Sequence, residues 1–406
     1  MDPPATTLRR ARRTAALLLA AAGAVAGCGG GGGAPAPTAT SAGARPSRPV
    51  LQAPAPRLRP AACPALRGFD CSRLRVSLHR RGPRAGDPRH LTLAVAVQRV
   101  ARAPHGDLVL LTGGPGQPGR PFAPRMAQRL GTARAGYRLV MLDQRGTGAG
   151  ALRCPELQVA AGTSDLAVAP RAAVAACGRA LGVRRDAFAT ADTVDDLEVL
   201  RVALGARRLV LGGVSYGTLV AERYALAHPD RVRGLVLDSV IPQEGAELLE
   251  RVPLRATARV LRAVCAARTR PCRSDPAADL AAVVARRPAL GPPILDALTE
   301  LSVGVPRLGR VPALLHAALA GDTAPLRRLL AAVRREEAAP AGVLSQGLHA
   351  ATLCADSPAP WGSPAATPAQ RARALARVRA TLARAQTAPF PPSTALGQGL
   401  LQTCRW

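Results

Sequence analysis

Residues 208–227 constrain this chain more than any other stretch. Arg208-Leu209-Val210-Leu211 reads as a short buried strand, Gly212-Gly213-Val214-Ser215-Tyr216-Gly217 follows at once, and residues 219–227 carry apolar side chains at helical spacing. A strand that becomes a helix within so few residues leaves no room for side chains where the two cross. Glycine at 213 and 217 meets that demand. Ser215 is left at the tip of the bend, in a strained conformation, at the foot of a helix whose free amides favour negative charge. Gly-x-Ser-x-Gly alone is a weak signal in a chain with 39 glycines. Between a buried strand and a helix it marks a serine presented as a nucleophile.

The same alternation continues on both sides. Residues 91–100, 107–112, 137–142 and 232–237 read as strands, and 194–204 as a helix. This order predicts an α/β fold, a mostly parallel sheet with helices on both faces. The strand at 107–112 stops at Gly113-Gly114-Pro115-Gly116. Glycine amides there can point at a developing oxyanion, so the N–H groups of Gly114 and of Tyr216, the residue after the serine, are the candidate oxyanion donors. A phosphate-binding loop would run on into Lys and Ser/Thr, which this one lacks.

A length of 406 residues fits two domains or one domain with a large insertion, and 48% hydrophobic residues exclude wholesale disorder. The formal charge of +29 raises nucleic acid as a partner. The sequence has no Lys and no Asn, and Ile only at 241 and 294, so all 55 cations are Arg. Such usage reflects a base-composition bias of the source genome. The arginines are scattered, and 2% aromatic content offers few stacking platforms, so no nucleic-acid partner is expected.

Arg9, Arg10, Arg12 and Arg13 precede a run of small and apolar residues, 14–27, that closes with Val25-Ala26-Gly27-Cys28. The run has the length of a secretory h-region and is too short to span a bilayer in the ordinary way. The quartet resembles the bacterial lipobox, which implies a signal peptide over 1–27 and lipid on Cys28. Residues 28–62, rich in Gly, Pro and Ala, read as a disordered linker. The expected location is therefore outside the cytoplasm, with the chain lipid-anchored at the outer face of the bacterial cytoplasmic membrane or cell envelope. Eight further cysteines remain: Cys63, Cys71, Cys154, Cys177, Cys265, Cys272, Cys354 and Cys404. An even number in an exported chain suggests disulfides, with about 105 pairings open. Neighbours in sequence are the simplest pairs: 63 with 71, 154 with 177, 265 with 272, leaving 354 with 404. No pair has zinc-ligand spacing with a nearby His, and no metal or cofactor is expected.

Several further motifs stand in order along the chain: Gly119 after the glycine loop, Asp143-Gln144-Arg145-Gly146-Thr147-Gly148, Asp196-Leu197-Glu198-x-x-Arg201-x-x-Leu204-Gly205, His228-Pro229 and Leu237-Asp238. Together with Gly213-Val214-Ser215-Tyr216-Gly217-Thr218 they resemble the α/β-hydrolases of the proline iminopeptidase and tripeptidyl aminopeptidase type, found among exported actinobacterial lipoprotein peptidases. The resemblance implies a hydrolase core over 63–246 and a helical cap over 247–406. It implies an exopeptidase, a serine peptidase of the aminopeptidase kind, forming an acyl-enzyme on Ser215 with a monomeric chain and a peptide or small ester or amide as substrate. It also implies a carboxylate near the cap for the substrate ammonium; Glu222 and Glu244 are the residues considered. Helical stretches at 256–267, 312–319, 325–333 and 370–385 suit such a cap.

In that family the catalytic Asp and His follow the cap on two further strands. The sequence ends at Trp406, which resembles the point where the cap returns to the sheet, so the last core strands are expected to be missing and the acid and base to lie beyond it. After Ser215 the histidines are His228, His316 and His349; His79, His90 and His105 precede it and fit no family role. Twelve helical steps put His228 about 18 Å from the serine, too far for a proton relay. His316 and His349 fall in cap helices, with His349 the one stand-in base considered; Asp238, at a strand end near the sheet edge, could act as an acid, though the resemblance implies a structural role. A serine without its base is a poor nucleophile, so the sequence leaves three outcomes open: a peptidase, an ester or small-amide hydrolase, or an inactive surface binding protein.

Overall fold

The computed structural model describes residues 55–406, apart from 64, 82–83, 246, 270–271 and 303–304. The expected signal peptide, Cys28 and most of the expected linker lie outside the described residues. Seven strands form one sheet: β1 (Arg59–Ala61), β2 (Phe69–Ser77), β3 (His90–Gln98), β4 (Gly106–Leu111), β5 (Tyr137–Leu142), β6 (Leu209–Val214) and β7 (Val232–Asp238). Their order is β1-β2-β3-β5-β4-β6-β7.

The run β5-β4-β6-β7 is parallel. The other three pairings, β1 with β2, β2 with β3 and β3 with β5, are antiparallel, so the sheet is mixed rather than mostly parallel. Strand β2 is the element that the sequence pattern hides. Phe69 and Cys71 point to one face and Leu74 and Val76 to the other, so its apolar positions change phase halfway along. Arg59–Ala61, expected within the linker, pairs with β2 instead, Ala61 opposite Cys71. Pro60 is tolerated there because an edge strand can leave one side of its backbone unpaired.

The central strands are apolar throughout because both faces are covered. In β4, Val109 and Leu111 pack with Leu197, Leu200 and Leu219 of helices α4 (Thr190–Ala203) and α5 (Tyr216–Ala227). Leu108 and Leu110 face the other way, against Ala123 and Ala127 of α1 (Ala123–Leu130). Strand β7 is the far edge, and Leu235 and Val236 there are 39% and 56% exposed.

Helices α2 (Pro155–Ala161) and α3 (Arg171–Leu181) leave the sheet after β5. The cap continues with α6 (Arg251–Ala266), α7 (Pro276–Arg286), α8 (Gly291–Ser302), α9 (Val305–Leu308), α10 (Val311–Leu319), α11 (Ala324–Glu336), α12 (Gln346–Asp356), α13 (Pro368–Thr381), α14 (Pro392–Gly397) and α15 (Gly399–Arg405). These have a core of their own built on Leu254, Leu280, Ile294, Leu315 and Leu401. Residues 155–181, expected in the hydrolase core, share a cluster with both sides: Leu157 and Val174 join Leu78 after β2 and Leu348 of α12. Disulfides join Cys63 to Cys71, Cys154 to Cys177, Cys265 to Cys272 and Cys354 to Cys404, with Cα separations of 5.7, 4.9, 5.6 and 5.0 Å.

Candidate active site

Ser215 caps the N-terminus of α5 at φ 54° and ψ −124°, a region that L-residues rarely occupy. The bend is fixed from three sides. The Ser215 N–H donates to the carbonyl of Asp238 at 3.0 Å, which ties the turn to the end of β7. The Ser215 carbonyl accepts from the Thr218 N–H at 2.8 Å and from its hydroxyl at 2.7 Å. Glycines do the rest. A Cβ on Gly213 would lie 2.4 Å from the Gly217 carbonyl oxygen, and one on Gly217 would lie 2.5 Å from the Leu111 carbonyl oxygen. Backbone on backbone cannot yield, so only glycine fits at either position.

The loop after β4 runs directly against the serine. A Cβ on Gly113 would sit 3.0 Å from Ser215 Cβ and 3.4 Å from its Oγ. Gly114 and Gly116 take φ of 106° and 121°, conformations open to glycine. Among the described residues neither the Gly114 N–H nor the Tyr216 N–H has a hydrogen-bond partner, and the latter is one of the free amides of a helix N-terminus. The Tyr216 side chain points inward: its hydroxyl meets Thr190 Oγ1 at 2.7 Å, the Thr190 N–H donates to Asp356 Oδ2 at 2.7 Å, and burial raises the phenol. A half-buried serine hydroxyl beside two free amides suits attack on a carbonyl with charge collecting on its oxygen.

The loop is braced from the sheet and from the cap. Thr112 Oγ1 donates to the Gln117 carbonyl at 2.8 Å, and Gln144 Nε2 donates to the Thr112 carbonyl at 3.2 Å. From the cap, the Ser345 N–H donates to the Gly116 carbonyl at 3.0 Å, and His349 Nδ1 lies 3.1 Å from the Pro115 carbonyl oxygen. Beside the loop, Arg145 is 1% exposed and donates to both oxygens of Asp196 at 2.7 Å, and to the Leu78 and Ala187 carbonyls at 3.2 and 2.6 Å. Burial pushes the Asp196 carboxyl up, and the guanidinium opposes it.

None of the six histidines is hydrogen-bonded to Ser215. His349 has its Nδ1 on Pro115, and its Nε2 faces Asp165 Oδ1 at 3.2 Å, too bent for a hydrogen bond. His316 shares its Nδ1 with Ser274 at 2.9 Å and Asp279 at 3.3 Å, within the cap. His228 stacks at 4.9 Å on Tyr224 at the far end of α5. His90 pairs with Arg75, His105 packs on Tyr137, and His79 is buried near Asp87 and Arg89. Asp238 offers Ser215 its backbone carbonyl, while its exposed carboxylate accepts from the Ser239 hydroxyl at 3.0 Å.

The two carboxylates considered from sequence lie on or after the helix that Ser215 heads. Glu244 is exposed, bonded by Gln243 at 3.0 Å, and Glu222 lies part-buried on α5. Beyond His349, instead, lie Asp165, Glu250, Asp296 and Glu300. Burial, then Asp165 and Glu247, push the Glu250 carboxyl up to about 7. Burial raises Glu300, with Asp165 and Asp296 adding to it. Burial also raises Asp296, against a hydrogen bond from the Ser164 hydroxyl. The group forms an acidic corner of the cap, with Arg334 acting on Asp296 and Arg251 paired with Glu247. Sequence could not disclose it, because Asp165 sits in an aperiodic loop and meets the others only through the fold.

Residues 108–264 match the family model described as the alpha/beta hydrolase fold. The chain carries an α/β-hydrolase fold. It is 36% identical over 146 residues to a probable proline iminopeptidase of Streptomyces coelicolor, covering 36% of each chain. It is 34% identical over 154 residues to a tripeptidyl aminopeptidase of Streptomyces lividans, covering 34% of this chain and 28% of that one. Over 52 residues it is 40% identical to the serine protease Hip1 of Mycobacterium tuberculosis, 13% of this chain and 10% of the relative. The likeness is thus of the α/β-hydrolase peptidase type. The match spans about a third of the length of the first two relatives.

Proposed function

We propose that this chain carries the nucleophile, oxyanion loop and cap of a serine exopeptidase that removes residues or short peptides from free amino termini. Ser215 attacks the scissile carbonyl, and the N–H groups of Gly114 and Tyr216 receive the oxygen as it becomes an oxyanion. The observation that carries this reading is the packing of Gly113 on Ser215 at the strained head of α5, with both amides left free.

The carboxylates of Asp165, Glu250 and Glu300 support the exopeptidase reading over a general esterase. An ammonium at the end of a peptide would favour the ionised forms of Glu250 and Glu300, which burial and neighbouring carboxylates now disfavour. Asp165 lies one side chain away from the loop, through His349, and Glu250 and Glu300 lie near Asp165.

The base and acid are the part that none of the six histidines supplies. They would have to stand beside the end of β7, where the Asp238 carbonyl holds the Ser215 amide. The four disulfides support an oxidising location outside the cytoplasm, and we propose lipid on Cys28 as the anchor.

Fluorophosphonate labelling of the exported protein tests the nucleophile. Labelling should vanish in Ser215→Ala; label that persists in that variant overturns the assignment. Cleavage of an unblocked peptide but not of its N-acetylated twin tests the exopeptidase step; equal turnover of both would assign the site to ester or amide hydrolysis instead.

A further inference from the structure

Helix α13 turns one face to a cavity of about 410 Å³. Gln370, Arg373, Ala374 and Arg377 line it at spacings of three and four residues, the repeat that keeps side chains on one side of a helix. Trp361 and Ser363, from the loop before the helix, line it too. The polar side chains here have hydrogens to give and no oxygen to spare. Ser363 Oγ accepts from the Ala365 N–H at 3.1 Å, and Gln370 Oε1 accepts from the Thr367 N–H at 2.7 Å. Those bonds engage the oxygen of each side chain and leave the hydroxyl hydrogen of Ser363 and the amide hydrogens of Gln370 unspent. The guanidiniums of Arg373 and Arg377 are exposed and make no hydrogen bond or ion pair among the described residues.

The surrounding chain supplies no counter-charge. Residues 357–406 hold six arginines and neither Asp nor Glu. Arg371, in the first turn of α13, braces the walls of the cavity. It donates to the Pro364 carbonyl at 2.7 Å and to the Cys404 carbonyl at 2.6 Å, and its guanidinium lies 5.5 Å from the centre of the Trp361 ring. Burial, then Arg185, push that guanidinium down, and no carboxylate offsets them. The brace therefore ties the loop that carries Ser363 to the helix that carries Arg373 and Arg377, so the donors are held together before anything binds.

We propose that this cavity binds the phosphate group of an organic phosphate, with Arg373 and Arg377 meeting its charge, Ser363 and Gln370 donating to its remaining oxygens, and Trp361 against its carbon body. Two guanidiniums about one helical turn apart can converge on a single phosphate. A carboxylate has two oxygens and one charge, too few for four donor side chains; a phosphate ester brings more acceptors and up to two charges. The apolar lining of Trp361 and Ala374 suits the carbon part of an ester better than a bare ion. The site shares no residue with Ser215, the glycine loop or the acidic corner of the cap, so it stands whether or not the chain is a peptidase. The same chemistry belongs to a phospholipid head group and to a soluble phosphate ester.

The chain has two tryptophans, Trp361 and Trp406, so Trp406→Phe leaves Trp361 as the sole indole reporter. In that background the full chain is titrated at constant ionic strength with glycerol phosphate and, separately, with vesicles of phosphatidylglycerol in phosphatidylcholine, against pure phosphatidylcholine as the blank. Indole emission should change saturably with at least one probe. A response to the ester alone assigns a soluble ligand, to the vesicles alone a lipid head group, and to both the phosphate they share. Arg373→Gln/Arg377→Gln should weaken the response about tenfold. Arg327→Gln/Arg328→Gln removes the same charge from exposed positions on α11 and should leave the response unchanged. All four side chains are exposed, so both variants should keep the wild-type circular dichroism. No saturable response to either probe, equal weakening in the two double variants, or an equal response to acetate at the same concentration overturns the proposal.

Discussion

Gly217 and Leu111 stand so close that a Cβ on the glycine would lie 2.5 Å from the leucine carbonyl oxygen. The serine turn is therefore set by the neighbouring strand β4 as much as by its own sequence, and β4 also delivers the glycine loop. Gly217→Ala should lower stability by about 1–3 kcal/mol, the usual cost of overpacking, and should slow fluorophosphonate labelling because β4 and α5 must part. Urea unfolding checks the first effect and labelling rate the second. Unchanged values for both would mean that the two backbones are not in contact in solution.

Asp196 holds a buried guanidinium. Asp196→Asn leaves Arg145 nearly fully buried, with Asp192 at 3.9 Å as its closest remaining carboxylate. Breaking one side of such a pair should cost about 3–5 kcal/mol. A midpoint in urea within error of the wild type would show that the pair is open to water.

The Glu250 carboxyl gives a pH dependence with a definite sign. Its folded value, pushed up to about 7, lies above the unfolded one. The folded state thus keeps its proton longer, so the stability linked to this group is fully present below the unfolded value and is lost as pH rises to about 7. Glu250→Gln should therefore melt above the wild type beyond pH 7 and level with it near pH 4. Binding of an ammonium runs the other way, because it needs the ionised form. KM for an unblocked peptide should fall as pH climbs through about 7, and KM for an uncharged ester should not. Parallel behaviour of the two substrates would remove Glu250 from the binding site.

The disulfides should differ in weight. Cys354–Cys404 spans 50 residues and Cys63–Cys71 spans 8. Chain-entropy reasoning gives about 4 kcal/mol for the longer loop and about 2.5 for the shorter. Paired Cys→Ala variants followed by thermal melting should rank them in that order.

The sequence made the serine turn and the central strands readable because each is a local pattern. Tyr137–Leu142 falls where its apolar run predicts, and the helix under Ser215 starts one residue beyond it. Strand β2 escaped because Phe69 and Val76 serve opposite faces of the sheet. The helices at Pro276–Arg286 and Gly291–Ser302 stay hidden, since Ala, Leu and Pro recur everywhere in this chain and blur the helical period. Least legible was the acidic group. Asp165, Glu250 and Glu300 come from three separate segments, and only the cap packing brings them together.

No cystine link includes a residue of 113–116, 215 or 345–349, yet two of them reach the helix that holds the glycine loop: Cys354 lies in α12, and Cys154 Sγ would sit 3.1 Å from a Cβ on Gly347 in its first turn. The loop itself carries no covalent link, but the helix that holds it bears one cystine and packs on another. A reductant should therefore loosen α12 and, through it, the entrance to Ser215, while the sheet beneath stays in register.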